Sequence, residues 1–149
     1  MSGQANWATC DSVGIPEMDA DHDAMLAIAF ALRDELLSGT PNAQAMSTLD
    51  DLLELALAHF EREEMTLERA AYPLLDAHRQ AHDRLLRAML HFREDVRHQR
   101  YKPTLAVNFI HAWVVQHVRV EDSRYAEFLR GTAGGPSSAL QASSPAAPD

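Results

Sequence analysis

The chain has 149 residues, enough for one domain with a continuous core, and apolar residues make up 46% of it. Its 13 basic and 22 acidic residues give a net charge of -9, which argues against nucleic acid or an anionic membrane as a partner. A single cysteine, Cys10, excludes an internal disulfide and suits a reducing compartment, where it is expected to be a small residue of the N-terminal arm.

Residues 1–18 contain neither a basic n-region nor an apolar h-region, and no window reaches the roughly 18 apolar residues of a membrane span. They are expected to form the arm of a soluble, cytoplasmic protein. From about Asp19 to Leu37, Met25, Leu26, Ala29, Leu32 and Leu36 recur at three- and four-residue spacings, which predicts an amphipathic helix ended by Ser38, Gly39, Thr40 and Pro41. A second helix is predicted from about Asn42 to Arg69, with Leu49, Leu52, Leu53, Leu57, Phe60 and Leu67 on its apolar stripe. After a short break at Tyr72, Pro73 can occupy the first turn of a third helix that runs to about Gln99. Tyr101, Lys102 and Pro103 interrupt again, and a fourth helix runs from Thr104 past Phe128 to Gly131, read as its C′ residue. Residues 131–149 read GTAGGPSSALQASSPAAPD; they lack bulky apolar residues to offset ordering entropy and are expected to be a disordered tail.

Four long helices with short connections predict an all-α, antiparallel up-down-up-down bundle over residues 1–130, monomeric because no heptad seam is left over. In such a bundle the starts of helices one and three share an end with the finishes of helices two and four. The chain places His22 near the first start, His59 and Glu63 toward the second end, His78 and His82 near the third start, and His117 and Asp122 toward the fourth end. Imidazoles and carboxylates are donors that suit iron, and a carboxylate can bridge two cations while cancelling part of their charge. His59 with Glu63, and His78 with His82, stand four apart and so differ by only about 40° around a helix. His117 and Asp122 stand five apart, about 140° on a regular helix, so both reach one centre only if the helix is wound as a π-bulge or sits deep between its neighbours.

The motifs GIPEMDADH (His22), HFEREE (His59, Glu63), YPLLDAHRQAH (His78, His82) and WVVQHVRVEDSRY (His117, Asp122) give the chain a resemblance to the bacterial hemerythrins from Trp7 to Arg130. The resemblance implies two iron ions per chain in an oxo- or hydroxo-bridged centre. His78, His82 and His117 would serve one iron and His22 and His59 the other, with Glu63 and Asp122 bridging. It also implies reversible dioxygen binding at the open position of the two-imidazole iron, where dioxygen is held as a hydroperoxide. Such a pocket should be dry and poor in proton donors; Met25, Phe60, Trp113 and Val114 are the apolar candidates for it, Trp113 resembling the family's pocket tryptophan.

His91, His98 and His111 match no ligand position and are expected at the surface or behind the ligands, while Tyr125 reads as packing or support. Asp19, Asp21, Glu61, Glu64 and Glu121 lie near ligands in sequence and are expected on a solvated face, some of them able to orient an imidazole. Dioxygen storage, delivery or sensing, without an enzymatic reaction, is the expected function. The alternatives are a di-iron redox enzyme and an oxygen or redox signalling module read by a separate protein partner. Against the enzyme, the chain holds no Glu-x-x-His pair of the ferritin-like kind.

Overall fold

The computed structural model describes residues 12–118 and 122–133. They form the expected all-α, antiparallel four-helix bundle, built from α1 (Pro16–Ser38), α2 (Asn42–Arg69), α3 (Leu75–Arg97) and a composite fourth rod of α4 (Pro103–His111), a π-helical segment (Ala112–Gln116) and α5 (Ser123–Ala133). Helix α1 packs on α2 and α4, and α2 packs on α3.

The chain-end signals explain most boundaries. Pro16 occupies the first turn of α1, where its missing N–H costs nothing, so the helix starts ahead of the expected Asp19 and shortens the arm. The Asp19 carboxylate reaches back to accept from Val13 N–H at 2.8 Å and from the Ser12 hydroxyl at 2.6 Å, tying the approach to the helix. Gly39 ends α1 in the left-handed region at φ 73°, its N–H bonded to the Glu35 carbonyl.

Two expectations fail at boundaries. Pro73 lies in the turn rather than in α3, because the chain leaves α2 through Ala71 at φ 56° and needs residues 70–74 to reverse. Gly131 does not stop the last helix, which continues to Ala133. An isolated glycine lowers helix stability by only about 1 kcal/mol and does not compel an end. The rest of the expected tail, and Trp7 and Cys10 of the arm, lie outside the described residues.

The main core runs along the bundle axis through Leu26, Leu32, Leu49, Leu52, Met89, Val96 and Ile110, all between 0% and 2% exposed. A smaller cluster of Val13, Met18, Leu67, Tyr72, Val118 and Tyr125 closes the other end. Between the two lies a polar layer.

Candidate metal centre

Seven buried polar residues make that layer: His22, His59, Glu63, His78, His82, His117 and Asp122, none more than 8% exposed. They come from α1, α2, α3 and the fourth rod, at the shared end that the helix directions require. Isolated polar groups at this depth cost several kcal/mol each, so seven together demand mutual pairing or a cation.

The two carboxylates organise the layer. Glu63 Oε1 lies 2.7 Å from His78 Nε2 and 2.9 Å from His82 Nε2, while its Oε2 faces His59 Nε2 at 3.3 Å and His22 Nε2 at 3.9 Å. Asp122 Oδ1 faces His117 Nε2 at 3.0 Å and His78 Nε2 at 3.4 Å, and its Oδ2 faces His22 Nε2 at 3.1 Å. Each carboxylate therefore turns one oxygen to a three-imidazole group and the other to a two-imidazole group. The donor atoms of Glu63, His78, His82, His117 and Asp122 lie within 4.8 Å of one another, as do those of His22, His59, Glu63 and Asp122.

Despite their five-residue spacing, His117 and Asp122 meet at 3.0 Å, and the described residues around them, Ala112–Gln116, Val118 and Asp122, are wound as π-helix. A π turn holds more residues than an α turn, so it brings positions five apart onto one face.

Proton positions show why a cation fits. His59 Nδ1 donates to Asp21 Oδ2 at 2.9 Å, and His82 Nδ1 donates to Glu64 Oε2 at 2.6 Å, because a carboxylate can only accept. These bonds leave the Nε2 lone pairs of both neutral rings directed at the centre. There His82 Nε2 meets a Glu63 oxygen at 2.9 Å, and His59 Nε2 meets His22 Nε2 at 3.1 Å. At His82 lone pair then faces lone pair, an arrangement that only a proton or a metal cation relieves, whereas a neutral His22 protonated at Nε2 can donate to His59. His117 Nε2 and both Asp122 oxygens, buried, make no hydrogen bond among the described residues. The residues present fit a pair of cations bound to imidazole and shared carboxylate.

Protons compete for the same positions. Burial pushes Glu63 upward, but hydrogen bonds from His59, His78 and His82 outweigh it and hold the carboxyl well below its ordinary value. Burial lowers His59, and the Glu63 and Asp21 carboxylates more than reverse that, so its imidazole titrates above the usual value. Burial, together with the Glu63 and Asp122 charges, raises the Tyr125 phenol, which stays protonated and donates to Glu63 Oε2 at 2.7 Å.

Asp21 and Glu64 correct the solvated-face expectation. Asp21 holds His59 and is itself clamped by Arg62, at 2.8 Å and 3.1 Å; Glu64 holds His82 and lies 3.5 Å from Arg79. The available signal was their adjacency to His22 and Glu63, but the ring each one grips sits on a different helix. Asp19 serves the chain end instead, Glu61 is exposed, and Glu121 lies outside the described residues. His91 and His98 pair near the surface with Asp95 and Glu94, and neither they nor His111 joins the donor groups.

The apolar candidates are all buried: Met25, Phe60, Trp113 and Val114. The Phe60 ring stacks on His82 with centroids 3.9 Å apart and meets the His117 edge at 5.8 Å. Trp113 lies 6.2 Å from Phe60 and donates its indole N–H to the Leu85 carbonyl at 2.8 Å.

An all-α bundle with a buried imidazole and carboxylate layer at one end defines a cation-binding helical bundle. The family model for the hemerythrin HHE cation binding domain matches residues 13–129, and the chain belongs to that family. It is 25% identical over 130 residues to the bacteriohemerythrin of Pseudomonas paraeruginosa (strain DSM 24068 / PA7), covering 83% of this chain and 80% of that protein. Identity to the hemerythrin-like protein of Naegleria gruberi is also 25%, over 120 residues, 80% of this chain and 89% of that one. The bacteriohemerythrin of Stenotrophomonas maltophilia (strain R551-3) is 23% identical over 130 residues, 83% of this chain and 80% of that protein. No solved structure matches the chain.

Proposed function

We propose that His22, His59, Glu63, His78, His82, His117 and Asp122 hold two iron ions and that the protein binds dioxygen reversibly, for storage, delivery or sensing, without catalysing a reaction. The observation that carries the proposal is the inequality of the two donor groups, three imidazoles against two, sharing the same pair of carboxylates. The group with one donor fewer is the one able to accept a small molecule. Relatives named bacteriohemerythrin support an oxygen-related role.

When bound, the iron pair supplies the electrons and the vacant coordination position that dioxygen needs. The protein's own residues do the rest. Asp21 and Glu64 keep His59 and His82 in the tautomer that offers Nε2, and Tyr125 steadies the oxygen of Glu63 that faces the two-imidazole group. Phe60, Trp113, Val114 and Met25 exclude water beside the ligands, which limits proton delivery and so oxidation of the centre. Trp113 keeps its one N–H engaged on Leu85, away from the centre.

The test is an optical spectrum of the anaerobically reduced, iron-quantified protein before dioxygen, after it, and after its removal. Two irons per chain with a visible charge-transfer band that appears and disappears reversibly are expected. One-way conversion to a ferric spectrum would favour a di-iron redox enzyme or a redox-signalling module instead.

A further inference from the structure

At the end of the bundle away from the polar layer, a cavity of about 550 Å³ opens between the last turns of α3 and the start of α4. Its walls are Phe92, Phe109, Ala88, Ala106, Tyr101 and Leu105, with Phe92 and Phe109 packed at 4.9 Å between centroids. The size and apolar walls are those of small-molecule sites, which bury an apolar body and fix it with a few polar groups. Leu105 on the rim is 62% exposed, the most exposed large apolar residue among those described.

The polar groups are unbalanced in sign. Arg100 and Lys102 stand at the cavity with a single carboxylate, Asp95. Asp95 is shared between Arg100, at 3.4 Å, and His91, at 3.7 Å. Lys102, the only lysine in the chain, makes no ion pair with a described residue. A protein of net charge -9 thus presents an uncompensated cation at the mouth of an apolar cavity. Charge complementarity selects an anion, and the walls select an apolar body.

We propose that this cavity binds a small monocarboxylic acid with an apolar body, its carboxylate on Lys102 and Arg100 and its hydrocarbon against Phe92, Phe109 and Leu105. The site is separate from the metal centre: Lys102 and His117 lie about 20 Å apart along the fourth rod at the rise of a helix. The proposal does not depend on which metal the centre holds.

The probe is octanoate, titrated calorimetrically into the full chain carrying its native metal content. Saturable binding of one octanoate per chain is expected, with no change in the optical spectrum of the centre. Lys102→Glu should weaken it at least about tenfold, the scale of one charge-assisted hydrogen bond. Ala88→Trp, an exposed wall residue enlarged to obstruct the cavity beside Phe92, should weaken it at least about tenfold, and circular dichroism should show both variants folded. The neutral alcohol octanol should bind at least about tenfold more weakly than octanoate.

Absence of saturable binding to the unaltered protein overturns the proposal. So does binding that survives both substitutions, or that changes the metal spectrum and disappears when the metal is removed, which would place octanoate at the metal centre. Equal affinity for octanol would overturn recognition of the acid. A dimer in sedimentation that Ala88→Trp splits would assign the cavity to contact between two copies of this chain, which also overturns it.

Discussion

His59 and His82 occupy different donor groups, yet the protein treats them alike: each ring is gripped at Nδ1 by a carboxylate that an arginine approaches from outside. Such partners fix the tautomer and strengthen the imidazole as a donor, and their loss typically lowers metal affinity about 10- to 100-fold. Asp21→Ala is therefore expected to keep the fold and weaken metal binding on that scale, read by competition with a chelator of known affinity. His82→Ala, which removes a donor outright, should lower the metal content of the purified protein; full loading would count against the ligand assignment. Tyr125→Phe isolates a smaller effect. Its phenol is buried and donates to a Glu63 oxygen, so the variant leaves that oxygen short of a donor and should lose about 1–3 kcal/mol in denaturant unfolding with the metal retained. A variant as stable as the parent would show that the Glu63 oxygen is satisfied without Tyr125.

The seven donor positions are legible from sequence because helix register is a local property: spacing of four on α2 and α3 already puts each pair on one face. The grip of Asp21 on His59 and of Glu64 on His82 is not legible, since those partners are 38 and 18 residues apart and meet only when helices pack.

Among the elements, the fourth rod departs most from its expected regular form. The five-residue interval between His117 and Asp122 announces a change of winding, but not where it begins. The structure starts it at Ala112, five residues ahead of His117. Trp113, inside this segment, ties it to α3 through its bond to the Leu85 carbonyl, whose position depends on how α3 packs beside the rod. Trp113→Phe removes that bond while filling most of the space. It should cost about 1–3 kcal/mol and leave the metal in place. Amide hydrogen exchange over residues 113–118 should become faster while the middle of α2 is unchanged. Unaltered exchange there would mean that the π winding is held by the ligands alone. The cavity at the far end of α3 and α4 is illegible for a similar reason: Ala88 and Ala106 read as ordinary small helix residues until the two helices pack with Phe92 against Phe109.

At the scale of the whole molecule, the polar layer divides the main core from the smaller cluster, so metal and fold are thermodynamically linked. The signs follow from His59 and Glu63. In the metal-free protein the His59 pKa lies above its unfolded value, so its pairing with Glu63 and Asp21 stabilises the fold fully below the unfolded value, about pH 6.5. That contribution is lost as pH rises through the folded value. The Glu63 carboxyl is depressed, so its contribution is present above about pH 4.3 and persists across this range, being lost only as pH falls through the folded value. Metal binding runs the other way, because the imidazoles must be neutral to coordinate, and affinity therefore rises with pH. The metal-free protein should melt below the loaded one, and the difference between their melting temperatures should widen from about pH 5.5 to about pH 8. Melting curves of the loaded and chelator-stripped protein across that range check this. A difference that stays constant would mean that protons and metal do not compete for the imidazoles, and would remove the reason for five buried histidines to face two carboxylates across so short a gap.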